Sequence, residues 1–101
     1  MLFLQISRHS PESCPSHNEK AKKATVDLMA KTDQLTKKYG IKMIGGWSAM
    51  PDHMEVIVFD APNLEAVMKF AMEPEMIAWM GYNTSELRPV ITLEETMKLM
   101  K

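Results

Sequence analysis

Three histidines and a single cysteine hold most of the coordinating and nucleophilic chemistry of this sequence. His9, Cys14 and His17 fall close together with the spacing His9-x4-Cys14-x2-His17, while His53 lies far along the chain. Imidazole nitrogen and thiolate sulfur suit Zn, Cu or Fe, and thioether sulfur from the neighbouring Met50 and Met54 leans toward Cu(I). The spacing matches no established zinc signature, so the metal reading needs the fold to bring His53 to the other three. The same groups support a second chemistry. Cys14 precedes a helix start and lies near imidazoles, both of which favour the thiolate. It could then act as a nucleophile with His9 or His17 as its base. Pro15 restricts Cys14 to extended backbone. Against both stands a plain structural reading, in which loop histidines and an inert thiol meet without function.

A third chemistry is that of an apolar pocket. Eleven methionines in 101 residues is high, and flexible thioethers line adaptable binding surfaces. Trp47, Trp79, Phe59, Phe70 and several methionines would surround a flat or greasy ligand between sheet and helices, with Tyr82 near the last strand. His9 or His53 at its mouth would serve as a proton-transfer base or as a haem ligand. The structural alternative is that these side chains fill a thin core. The two arginines, Arg8 and Arg88, would approach each other if the first and last strands pair, and would hold a carboxylate or phosphate. Otherwise they pair with Glu12, Glu55 or Glu86 at the surface.

Whether these residues meet depends on the elements that carry them. Residues 2–8 alternate Leu2, Leu4, Ile6 against Phe3, Gln5, Ser7, the period of a strand. Pro11 and Pro15 make residues 9–17 a loop. Asn18 caps a helix running to about Tyr39, and Gly40 stops it. Residues 41–50 read as a second strand with Ile41, Met43, Gly45 and Trp47 on one side, and Gly45-Gly46 signals a bulge or close backbone approach. Pro51-Asp52 is a tight connection into a third strand, His53 to Phe59. Asp60-Ala61-Pro62-Asn63 starts a second helix, which Pro74 interrupts before a short turn to Gly81. Residues 86–92 form the last strand, with Pro89 placing it at a sheet edge. Thr92 caps an extra C-terminal helix.

This order predicts one α+β domain over residues 1–101, of ferredoxin-like β-α-β-β-α-β type. Its four-stranded antiparallel sheet has order 4-1-3-2 and helices on one face. On that topology His9, Cys14, His17 and His53 all fall at one end. The third strand is apolar on both sides, so the uncovered face calls for a second copy and a homodimer. A chain of this length buries only about 65% of its unfolded surface, which adds to the case.

Composition narrows the partners. The formal charge is 12 − 13 = −1, and the lysines between Lys20 and Lys38 are interleaved with Glu19, Asp27 and Asp33. That is a solvated helix face and not a nucleic-acid or membrane surface. One cysteine allows no internal disulfide. With no signal-type segment and no apolar run of spanning length, the expected location is cytoplasmic.

The opening Met1-Leu2-Phe3 strand, the Gly45-Gly46-Trp47 turn and the final Pro89-Val90-Ile91 strand resemble the dimeric α+β barrel superfamily, and within it a short single-domain branch. The loop over residues 9–18 is longer than that branch would lead one to expect. The resemblance implies two ferredoxin-like sheets facing each other in a dimer. It also implies a range of activities: cofactor-free monooxygenases, isomerases, haem-binding and haem-degrading proteins, and ligand-binding regulators. It carries no catalytic residue over to this chain. Three functions are therefore open. One is a dimeric binding module with a small-molecule or transition-metal site (metal ligands His9, Cys14, His17, His53; ligand contacts Arg8, Trp47, Trp79, Tyr82). Another is an isomerase or monooxygenase using His9, Cys14 or His53 catalytically. The last is an interaction platform with no ligand.

Overall fold

A computed structural model describes residues 1–101 and follows the expected element order. Strand β1 (Leu2–Arg8) leads through a single 3-10 turn, Pro11–Ser13, to helix α1 (Glu19–Lys38). Strand β2 (Lys42–Ala49), a 3-10 turn at Met50–Asp52 and strand β3 (Met54–Asp60) form a hairpin. Helices α2 (Leu64–Ala71) and α3 (Pro74–Met80), strand β4 (Thr84–Val90) and helix α4 (Leu93–Leu99) complete the chain. The sheet order is β2-β3-β1-β4 with every pairing antiparallel, the 4-1-3-2 arrangement expected from the sequence.

Local chemistry accounts for the element ends. Asn18 Oδ1 accepts the Ala21 amide at 2.9 Å, satisfying one of the orphan donors at the start of α1. Gly40 ends the same helix at φ +68°, a conformation that costs glycine nothing. Asn63 caps α2 through the Ala66 amide, and Thr92 and Glu95 form a reciprocal capping box at α4. Pro74 sits in the first turn of α3, so the break that it makes is between two helices rather than a helix and a turn.

Register decides which residues face the helices. The rows Met43–Phe59–Phe3–Pro89 and Ser48–Glu55–Ser7–Ser85 each cross all four strands on the helix side. Leu4, Ile6, Val56 and Val58 point to the opposite face. In β2 the register shifts between Met43 and Gly45, so Ile44 is an extra residue in the ladder. This corrects the expectation that Met43, Gly45 and Trp47 share a side: one added residue sends Met43 toward the helices and Gly45 and Trp47 to the other face. The Trp47 ring lies across Gly45, where a Cβ would stand 2.8 Å from it. Gly45 is therefore a close-approach glycine.

Only twelve residues are buried, and the principal cluster is Phe3, Ile41, Phe59, Ala61 and Val67. Phe3 and Phe59 stack at 5.5 Å between ring centroids. Protein of this thickness depends heavily on each large core side chain. Phe3→Ala should cost about 3–5 kcal/mol, as other buried phenylalanine truncations do, read as a lowered urea midpoint with unchanged slope.

Candidate functional site

Two features stand out on the sheet and the loops around it. The first is the cluster foreseen from strand order. Strand β1 runs into His9, whose amide donates to the His53 carbonyl at 3.1 Å, adding a rung to the β1–β3 ladder. The two rings then meet edge to face, with His53 Nδ1 and His9 Nε2 3.3 Å apart. The Cys14 thiol joins them, so that one nitrogen of each ring and the sulfur all lie within 4.8 Å of one another. All three residues are half-buried. His17 is not part of this group; it is exposed, with Nδ1 3.4 Å from Ser16 Oγ.

The loop that delivers Cys14 is held by its own hydrogen bonds. Ser10 Oγ caps the 3-10 turn through the Ser13 amide, and the Cys14 amide donates to the Pro11 carbonyl. The Cys14 carbonyl in turn accepts the amides of His17 and Asn18. Asn18, besides capping α1, donates from Nδ2 to the Glu12 carbonyl at 2.9 Å. At the other side, His53 has φ 50° and ψ 47°, the only non-glycine residue with positive φ. A left-handed residue of this kind costs on the order of 1–2 kcal/mol, although histidine tolerates it better than most. The conformation closes the Met50–Asp52 turn and aims the imidazole at His9.

The second feature is a cavity of about 470 Å³ between the helix layer and the sheet. Leu28 and Thr32 of α1, Met76 and Trp79 of α3, and Ile57 and Phe59 of β3 supply its apolar walls. The polar end is built from one cross-strand row: Ser48, Glu55 and Ser85 line it, together with Gln5 one rung away. Ser7, in the centre of that row, is buried beneath the others, 2.9 Å from Ser85 Oγ and accepting from Gln5 Nε2 at 3.1 Å. Every buried side-chain polar atom has a partner, so the row costs little of the penalty that unpaired polar groups incur.

Of the residues expected to contact a ligand, Trp79 lines the cavity and Trp47 borders it from the edge strand, although its ring lies across Gly45 on the opposite face, whereas Arg8 and Tyr82 do not line it. Arg8 and Arg88 do converge, but on Glu86, which takes Arg8 on Oε1 at 3.2 Å and Arg88 on Oε2 at 3.1 Å. Both guanidinium groups are thereby engaged at the surface. None of the three histidines lines the cavity. A haem inside it would find no imidazole among the lining side chains. Sequence reasoning missed Gln5, Ser48, Glu55 and Ser85. Their alternation with apolar neighbours was visible, but such polar positions read as the solvent face of a strand.

The C-terminal end of α1 is clasped to the start of α3. Glu73 Oε1 accepts from Lys38 Nζ at 2.8 Å and from the Tyr39 hydroxyl. The hydrogen bond from Lys38 and, next, that from Tyr39 hold the Glu73 carboxyl below its ordinary 4.5, with burial opposing them. Glu73 likewise holds Lys38 above its ordinary 10.5. A lowered carboxyl pKa stabilises the fold fully above the unfolded value and loses that contribution as pH falls through the folded one. The lysine's share is present below its unfolded value and is lost only at more alkaline pH. Lys31 and Glu75, 3.8 Å apart, make a looser second tie between the same helices.

A family model matches residues 1–101 in full, that of the domain of unknown function DUF3303. The chain belongs to the DUF3303 family. No curated protein matches this DUF3303 domain. Among solved structures, it is similar to an antibiotic biosynthesis monooxygenase at 13% identity and TM-score 0.58, covering 91% of this chain and 100% of that one. A NIPSNAP domain protein from Burkholderia xenovorans aligns at 12% identity and TM-score 0.53, over 92% and 97% of the two chains. SnoaB, a cofactor-independent oxygenase from Streptomyces nogalater, aligns at 14% and TM-score 0.51, over 91% and 94%. At these identities the likeness establishes the fold alone, a ferredoxin-like four-stranded antiparallel sheet with helices packed on it. No helix is long and apolar enough to cross a membrane.

Glu73→Gln keeps the acceptor for Tyr39 but removes the charge. It should lower the melting temperature at neutral pH, with the difference from wild type shrinking as pH falls below the carboxylate range. Thermal melts over that range give the comparison; a gap of constant size at every pH would show that the carboxylate's charge is irrelevant.

Proposed function

We propose that this domain binds a flat, largely apolar small molecule in the cavity between sheet and helices, and that it does so as a homodimer. The observation that carries the binding reading is the graded lining of the cavity. Apolar walls from Leu28, Ile57, Phe59, Met76 and Trp79 give way at one end to Gln5, Ser48, Glu55 and Ser85. A volume of about 470 Å³ suits a ligand of a few fused or linked rings. The apolar walls would take up the ring system, and the polar end would accept and donate hydrogen bonds to a hydroxyl or carbonyl group on it.

The dimer follows from the other face of the sheet. Leu4, Ile6, Val56 and Val58 are half-buried by their strand neighbours alone, and Trp47 is 62% exposed. Leu93, Met97 and Leu99 of α4 are exposed as well. A protomer with twelve buried residues gains most by packing that sheet face against a second copy. Light scattering on the purified protein should give twice the 11.5 kDa chain mass. Val56→Asp, which places a charge in the middle of the face, should shift the mass toward one chain. A wild type that stays monomeric at micromolar concentration defeats this part of the reading.

A second reading, an oxygenase or isomerase acting in the same cavity, is favoured by the names of the antibiotic biosynthesis monooxygenase and of SnoaB. A general base must come within hydrogen-bonding reach of the proton it takes. Among the lining groups the carboxylate of Glu55 meets that need, and the role first expected of His9 or His53 passes to it.

Leu28→Trp fills the cavity from α1 without touching the polar end. Titration with a neutral naphthol, followed by tryptophan fluorescence, should give saturable binding to wild type and a loss of about tenfold or more in Leu28→Trp, equivalent to 1.4 kcal/mol. Equal binding by both proteins would remove the cavity from consideration. Glu55→Gln separates the two readings: binding with no oxygen uptake by either protein supports a binder, and uptake by wild type that the variant loses at retained affinity supports an oxygenase.

A further inference from the structure

We propose that His9, Cys14 and His53 form a Zn²⁺ site, with a fourth position open to water, that is separate from the ligand cavity. The argument begins with the two imidazoles. His53 Nδ1 and His9 Nε2 face each other at 3.3 Å. Two nitrogen lone pairs cannot point at one another unless a proton or a cation lies between them. A zinc ion with ordinary Zn–N bonds has a nitrogen–nitrogen edge of about 3.4 Å in tetrahedral geometry. The rings are therefore already spaced as ligands of one ion.

The third donor completes the set. The Cys14 sulfur lies within 4.8 Å of one nitrogen of each ring, and the donors would draw together to the edges of about 3.5 Å that Zn–S and Zn–N bonds require. Two imidazoles and one thiolate are a borderline-soft set, which excludes Mg²⁺ and Ca²⁺ and suits Zn²⁺. Binding would displace the proton between the two histidine nitrogens and release the thiol proton of Cys14, whose sulfur now lies 3.0 Å from Ser16 Oγ. Ser16 and His17, next along the chain from Cys14, are exposed and the three ligands only half-buried, so water would supply the fourth position.

Preorganisation is the second line of support. The six hydrogen bonds that tie residues 10–18 together through backbone and through Ser10 and Asn18 fix the Cys14 backbone without using its side chain. His53 sits in a left-handed conformation that a glycine would adopt at no cost, yet the residue there is an imidazole aimed at His9. None of the three ligands lines the cavity, so metal binding and the cavity reading stand or fall independently. An ion here would join the end of β1, the loop before α1 and the start of β3 at one point.

The test uses untagged, chelator-treated full-length protein and the metal alone. Zn²⁺ competition against a chromophoric chelator should show one equivalent bound, and Co²⁺ should give a thiolate-to-cobalt charge-transfer band with the intense visible bands of tetrahedral Co²⁺. His53→Gly relieves the left-handed strain, so its metal-free melting temperature should equal or exceed that of wild type. Its affinity should fall by more than about 100-fold, beyond the 10–100-fold that loss of an outer-shell partner produces. Cys14→Ser should abolish the charge-transfer band, while His17→Ala and Leu28→Trp should leave metal binding unchanged. No saturable uptake, cobalt binding without the thiolate band, or full affinity in His53→Gly would each overturn the site. Stoichiometric Cu(I) binding with no Zn²⁺ uptake would overturn the assignment to zinc.

Discussion

Seven cross-strand pairs, from Leu2↔Asp60 to Arg8↔Met54, hold β1 against β3, and the His9–His53 rung extends them by one. This central antiparallel ladder fixes both the histidine–cysteine cluster and the cavity's polar row. Because side chains alternate, the register that stacks Phe3 on Phe59 also puts Gln5 beside Ile57 and Ser7 beside Glu55 on the helix side. A slip of one residue would bury Leu4 and Ile6 under the helices and turn the polar row to the opposite face. Aromatic packing at one end of the ladder is thus what sets the polar chemistry at the other.

Along the strands, the helix side of the sheet changes character in three rungs. Phe3 and Phe59 form the apolar end, Gln5 and Ile57 the middle, and Ser7 and Glu55 the polar end, with the histidine pair just beyond. Burying hydroxyls and an amide under a helix layer is unfavourable unless each is partnered. Here Gln5, Ser7 and Ser85 partner one another, so the row is kept without an orphaned group. The helices lie over this gradient without closing on it. The Glu73 clasp ties α1 to α3 near the apolar end, and the space left between the layers is the cavity.

Much of this was legible in the sequence, and the losses have specific causes. Strand periodicity, the Asn18 and Thr92 caps, Gly40 and Pro74 placed nearly every element, since each acts through local backbone chemistry. Strand order then brought His9, Cys14 and His53 together from positions far apart in the chain. His17 was grouped with them on chain proximity, but the turn after Cys14 leaves its ring on the exposed side, against Ser16. The face of Trp47 was misread because a one-residue bulge has the sequence signature of two glycines and no indication of which residue is extra. Ser48, Glu55 and Ser85 were missed for a related reason. Alternating polar residues ordinarily mark a solvent face, and on this sheet the outer face of β1 and β3 carries Leu4, Ile6, Val56 and Val58 while the helix-covered one carries the hydroxyls.

That inversion explains why the lone left-handed residue is found where it is. The β2–β3 hairpin must return the chain so that Ser48 and Glu55 stand opposite each other on the helix side. The connection uses a 3-10 turn over Met50–Asp52, which leaves one residue to reverse direction before β3 begins. Glycine or asparagine is the usual solution for such a residue. With histidine in that position, the reversal of the chain and the approach of His53 to His9 become a single event. The hairpin cannot close in this register without bringing the imidazole to the end of β1, and the hydrogen-bonded loop from Ser10 to Asn18 brings the thiol to the same point from the opposite direction.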